Sequence, residues 1–151
     1  VGEGEAITQF QTYMTGELYA VLTQHSILGR LMEAGTASAG ALADGARLGL
    51  AEHAHLSHLL FAARTAGLTG ARTPQQLPDF LSGLLIGAEV GSARLRGAPS
   101  QVVLLGEPAL AERYEVALGV AGIGSRRAAA DATPRGQWRV ALAAGLVKED
   151  A

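Results

Sequence analysis

No cysteine occurs in the 151 residues, which excludes disulfides, thiolate metal sites and a cysteine nucleophile and agrees with a reducing compartment. Charge is also scarce, at 17% of residues with a formal net value of −2. Lysine is nearly absent: 11 of the 12 cations are arginine, and they are scattered. No basic face is therefore offered to nucleic acid or to an anionic bilayer. The longest apolar stretch, residues 81–90 (LSGLLIGAEV), is broken by Gly83, Gly87 and Glu89 and falls short of the roughly 20 residues of a membrane span. There is no signal-peptide pattern, no GxxxxGK[ST] loop and no G-x-G-x-x-G fingerprint. The chain opens at Val1 without an initiator methionine, which reads as a processed protein or a piece of a longer one.

What is abundant is small and apolar: 48% hydrophobic residues, with 29 alanines and 20 glycines. A chain of this length forms one ordinary domain and buries roughly 70% of its unfolded surface. Residues 6–15 place Phe10, Thr12 and Met14 on one alternating face and predict a strand. Thr15 then reads as the N-cap of a helix running to about Leu31. A second helix is predicted over 34–49 with Leu42, Ala46 and Gly49 as a small-residue packing stripe, and a third over 50–66 with Leu56, Leu59, Leu60 and Ala63 inward. Pro78 and Asp79 open a fourth that extends to about Leu95, where residues 96–99 stop it. Residues 101–105 (QVVLL) have the fully apolar character of a strand inside a parallel sheet, and a helix follows from Pro108 to about Ala121 with Leu110, Tyr114, Ala117 and Leu118 inward. A strand over 125–132 and a helix capped by Thr133 repeat the plan, with Trp138, Leu142 and Gly145 on one side. Alternating strands and helices predict a helix-rich α/β fold around a mainly parallel sheet.

Few residues announce chemistry. His53, His55 and His58 form H-x-H-x-x-H, but His53 and His55 point about 200 degrees apart on a helix, so the three read as a polar face before a metal site. His25 reads as a packed, hydrogen-bonded histidine. Glu17, beside Gly16 at a strand-to-helix junction, either caps its helix or reaches into a cleft. Glu89, within an apolar helix, is either buried against a partner or on a solvated edge. The turn at Gly106, Glu107, Pro108 and Ala109 follows a strand and precedes a helix, the place where ligands bind in open α/β sheets.

Residues 10–28 (FQTYMTGELYAVLTQHSIL), 60–67 (LFAARTAG) and above all 79–90 (DFLSGLLIGAEV) resemble the C-terminal half of the 2-dehydro-3-deoxygalactonokinase family, and the likeness continues through 102–118 and 135–147. The resemblance implies one ribonuclease H-like lobe of the actin-like ATPase fold, with a small mixed sheet, lacking its first strands. Residues 1–151 are then the nucleotide-side lobe of a cytoplasmic sugar-acid kinase. It implies transfer of the γ-phosphate of MgATP to the 6-hydroxyl of 2-dehydro-3-deoxy-D-galactonate. The turn at Gly106, Glu107, Pro108 and Ala109 takes the place of the adenosine loop, although many relatives have a second glycine where this chain has Glu107. Thr133 and Gly136 fall near the base side of that cleft, Thr15 and Glu17 belong to a T-G-E-L element at the cleft, and Arg64 matches a family arginine that binds a carboxylate or phosphate or pairs structurally.

The family's acidic D-x-G strand and its G-T-H-S-K phosphate loop are not found in these residues. Catalytic and magnesium-binding carboxylates are thus expected outside them, with no catalytic residue and no metal ligand inside. Two other readings stay open: a kinase for a related sugar acid, and a non-catalytic interaction module. A lobe without its partner exposes apolar area, so a homo-oligomer is also an expectation.

Overall fold

The computed structural model describes residues 2–3, 6–7, 9–97 and 99–148. Its element order is β1 (Gly2–Glu3), β2 (Ala6–Ile7), α1 (Thr15–His25), α2 (Ala39–Ala51), α3 (Leu56–Leu68), α4 (Leu77–Arg94), β3 (Gln101–Leu104), α5 (Pro108–Val120), β4 (Gly124–Arg127) and α6 (Ala132–Ala143). Single 3-10 turns at Gly29–Leu31 and His53–His55 separate the helices around α2.

The centre is a helix. Of the 18 residues of α4, 13 are buried, as expected of a segment that is apolar all round. One face packs on Leu28, Ala41, Leu59 and Ala63 through Phe80, Leu81, Leu84 and Leu85. The other carries Ile86 and Val90 against Ala46, Ala117, Leu118 and Ile123. Its most extensive contact is with α2, where the predicted stripe is found: Leu42, Ala46 and Gly49 are all buried. Glycines on both helices let the backbones touch. A Cβ at Gly45 would come within 2.8 Å of Leu84 N, one at Gly49 within 2.8 Å of Ala88 N, and one at Gly87 within 2.8 Å of Ala46 Cα. Such spacing leaves no room for a methyl group on either side.

Several boundaries differ from the sequence reading, each for a local reason. Within the strand expected over 6–15 only Ala6–Ile7 forms a ladder, antiparallel to Gly2–Glu3, and residues 9–14 are irregular with Phe10 84% exposed. Thr8 lies outside the described residues, as does Ala98 in the stop after α4. An alternating pattern makes a strand only where a neighbour offers its backbone, and among the described residues none does. Thr15 is the first residue of α1 and not its cap, since its hydroxyl is drawn to Glu89; Met14 holds the cap position without a side-chain bond. The helix ends at His25, with Ser26 extended. Ser38 is the true cap of α2, accepting from Ala41 N at 3.3 Å, so this helix begins later than predicted.

The sheet is also smaller than predicted. In place of one mainly parallel or mixed sheet, the described residues form two separate two-stranded ladders, β1–β2 antiparallel and β3–β4 parallel. β3 is not an interior strand: its residues alternate between exposed and half-buried. β4 ends at Arg127, and α6 starts at Ala132 behind Asp131, so Thr133 lies inside the helix and caps nothing. Leu110 is half exposed, and α6 buries no residue, leaving Trp138 and Val140 exposed.

The α2–α4 contact carries a stability prediction. Gly87→Ala should destabilise the chain by about 3 kcal/mol, because a methyl group must force two backbones apart. Gly136→Ala, on α6 where an added Cβ meets nothing within 4 Å, should stabilise by about 0.5–1 kcal/mol. Urea denaturation of the two variants beside the parent measures both.

Candidate functional site

β3 and β4 run parallel with Leu104 opposite Arg127, and Ala128 N donates to Leu104 O at 2.8 Å. Their C-terminal ends therefore share one edge, and the turns leading to α5 and α6 leave from it side by side. Such an edge, with helix N-termini behind it, is where α/β structures place ligands. Gly106 makes the first turn at φ +151°, a conformation only glycine adopts without strain. An added Cβ would meet nothing within 4 Å, so the requirement there lies in the backbone and not in space. Glu107 precedes α5 without capping it through its side chain, and Pro108 takes the first helical turn, where its missing N–H costs nothing.

The turn opens on a cleft of about 630 Å³, walled by Val103, Leu105, Gly106, Glu107 and Leu110, with Glu89 and Tyr114 on its α4 and α5 sides and Gln11 across it. Glu89 falls between the two alternatives: it is half-buried at the edge of the cleft and has partners, which are hydroxyls. Its Oε2 accepts from Thr15 Oγ1 and from Tyr114 OH, the latter at 2.7 Å. One carboxylate oxygen thereby ties α1, α4 and α5 together. Burial, followed by the hydrogen bond to the Glu89 carboxylate, pushes the Tyr114 phenol well above the ordinary tyrosine range.

A second polar anchor reaches α5 at Arg113, the residue before Tyr114. Asp79 is buried; its Oδ1 pairs with Arg113 Nη2 at 2.7 Å and its Oδ2 accepts from Ser38 N at 2.6 Å. The residue reads from sequence as a macrodipole partner, and the structure makes it the joint of α2, α4 and α5. Arg113 borders two smaller cavities, of about 230 and 300 Å³, and its buried Nη1 has no hydrogen-bond partner among the described residues. Tyr19, in the first of these, has its phenol raised chiefly by burial. No spacing rule links Asp79 to Arg113, so sequence reading had no signal for this pair.

The other expected residues sort by location. Gly106 and Glu107 line the cleft, Pro108 begins α5, and Ala109 faces the two smaller cavities. Thr15 reaches the cleft through Glu89, while Glu17 is exposed on the first turn of α1 and outside the cleft lining. Arg64 donates to Ile27 O at 2.9 Å, tying α3 to the segment after α1. Thr133 and Gly136 are exposed on the first turns of α6, behind the same sheet edge. His25 is exposed and so departs from the packed histidine expected. His53 faces Leu50 O at 3.2 Å, His55 faces Glu52, and His58 is exposed. Among the described residues no three of His, Cys, Asp and Glu are grouped to hold a metal ion, and no helix is long and apolar enough to cross a membrane.

The Tyr114 phenol gives the cluster a pH signature. With its folded value raised above the unfolded value near 10, the contribution to stability is fully present below pH 10 and is lost as pH climbs toward the folded value. The denaturation midpoint of the parent should thus fall above pH 10 more steeply than that of Tyr114→Phe. Ultraviolet titration should show late tyrosine ionisation that the same variant removes.

The model of the 2-keto-3-deoxy-galactonokinase family matches residues 2–140. A 2-dehydro-3-deoxygalactonokinase from Escherichia coli (strain K12) is 37% identical over 121 residues, which are 80% of this chain and 41% of that protein. A Rhizobium meliloti (strain 1021) protein provisionally given the same activity is 33% identical over 135 residues, 87% of this chain and 44% of its own. The crystal structure of a protein from Sinorhizobium meliloti, provisionally described as a 2-dehydro-3-deoxygalactonokinase, matches with a TM-score of 0.80 at 33% identity. That match covers 90% of this chain and 46% of the other. The chain thus spans less than half the length of each of these relatives. With nearly its whole length matched by the family model, the chain belongs to the 2-keto-3-deoxy-galactonokinase family.

Proposed function

We propose that this chain is the nucleotide-side part of a cytoplasmic sugar-acid kinase that phosphorylates 2-dehydro-3-deoxy-D-galactonate at its 6-hydroxyl with ATP. In that reaction the bond between the γ-phosphorus and the β,γ-bridging oxygen breaks, a bond from phosphorus to the C6 oxygen forms, the hydroxyl proton leaves, and ADP departs. The observation that carries the reading is the shared edge of β3 and β4: two parallel strands end beside Gly106, and the turn to α5 opens on a cleft large enough for a nucleoside. Family membership supports it. The fold reading that accompanies it is one ribonuclease H-like lobe of the actin-like ATPase type.

Within this lobe Gly106, Glu107, Pro108 and Ala109 form the adenosine-side turn, with Thr133 and Gly136 on the neighbouring helix start. Thr15 supports the cleft wall through Glu89. Magnesium, when bound with ATP, would neutralise phosphate charge, with its protein ligands outside these residues. We assign no catalytic residue within the 151 residues.

Calorimetry should detect ATP binding to the chain in the low-millimolar range or tighter. A coupled kinase assay on the same 151 residues, supplied with MgATP and 2-dehydro-3-deoxy-D-galactonate, should show no turnover. Turnover abolished by Glu17→Gln would overturn the assignment of catalysis elsewhere, and absence of any nucleotide binding would put the interaction-module reading ahead.

A further inference from the structure

The cleft beside Gly106 has a charge pattern that selects which end of a nucleotide enters it. Two carboxylates, Glu89 and Glu107, line it, and neither lysine nor arginine does among its lining residues. Such a wall repels phosphate and attracts hydrogen-bond donors, since an ionised carboxylate can only accept. The Glu89 carboxylate is held in place from one side. Thr15 on α1 and Tyr114 on α5 both donate to Oε2, so the group is fixed by two helices other than its own. A carboxylate fixed in this way meets a ligand hydroxyl without first losing side-chain freedom. Beside these polar groups and Gln11, the cleft offers exposed apolar side chains, Val103 at 48%, Leu105 at 63% and Leu110 at 50%, against which a flat heterocycle can lie.

We propose that Glu89 is the acceptor for a vicinal diol in this cleft, that the diol is the ribose of the nucleoside, and that the site binds the nucleoside independently of its phosphates. This rests on the nucleotide-side reading above and narrows it: the cleft recognises base and sugar, and the triphosphate points away from Glu89 and Glu107. A sugar acid carries the same diol chemistry. Its own carboxylate, however, would face two others in the cleft, which favours the uncharged nucleoside.

A ligand series on the unmodified chain tests this by calorimetry, with adenosine, 2′,3′-dideoxyadenosine, ATP and D-galactonate as probes. Adenosine should bind at least as tightly as ATP, and removal of both ribose hydroxyls should weaken binding at least about tenfold, as expected for loss of a hydrogen bond to a charged group. Glu89→Gln should lower adenosine affinity by a similar factor while leaving dideoxyadenosine unchanged, which a general loss of structure would not do. Equal binding of adenosine and dideoxyadenosine, or an equal loss of both in Glu89→Gln, would overturn the role of Glu89. Binding of ATP with adenosine more than about tenfold weaker would overturn the phosphate-independent site and leave the nucleotide reading standing. Displacement of adenosine by D-galactonate would move the diol to the sugar acid, and failure of both adenosine and ATP to bind would overturn the nucleotide reading itself.

Discussion

The close approach of α2 and α4 is the constraint on which the rest of this structure depends. Glycines at 45 and 49 on one helix and at 83 and 87 on the other bring peptide backbones into direct contact, with Ala46 fully buried between them. An interface of this kind gains its energy from many short dispersion contacts and not from large side chains. It also fixes the rotation of α4 about its axis, because only the glycine faces can meet. With 5% aromatic residues the chain has few large side chains with which to fill a looser interface.

That fixed rotation places the polar residues of α4. Once Gly83 and Gly87 face α2, Asp79 lies at the start of the helix beside Ser38 and Arg113, and Glu89 emerges between Thr15 and Tyr114. Buried Asp79 is ion-paired, and half-buried Glu89 accepts from two hydroxyls, so neither carboxylate lacks a partner. Both also reach α5, through Arg113 and Tyr114, which sit side by side in its sequence. The helix that follows the Gly106 turn is thereby anchored at two points to the core helix. The turn's position relative to Glu89 follows from packing that begins on the opposite side of α4.

The ligand edge itself has simple origins. Two four-residue strands pair in parallel, and the turns after them leave from one side. The α5 side of this edge is well supported by Ala111, Ala117 and Leu118, whereas α6 buries nothing. Both strands and the turns after them fall within the residues matched by the family model.

Much of this was legible in the sequence. The spans of α4, β3 and α5, the small-residue stripe at Leu42, Ala46 and Gly49, and the turn at Gly106 follow from periodicity, proline at helix starts and glycine after strands, all of which act within a few residues. What the sequence left open were the choices made by distant partners. Whether residues 9–14 form a strand depends on a neighbouring backbone, and whether Thr15 caps α1 depends on a carboxylate in α4. Glu89 could be read as solvated or buried, and the fold makes it half-buried with two hydroxyl donors from other helices, while Asp79 found Arg113 only through the fold. Local propensity and pattern set the elements, because their energies come from adjacent residues. The tertiary structure alone decided which polar groups meet, because burial makes an unpaired charge costly and the helix packing determines what lies within reach to pair with it.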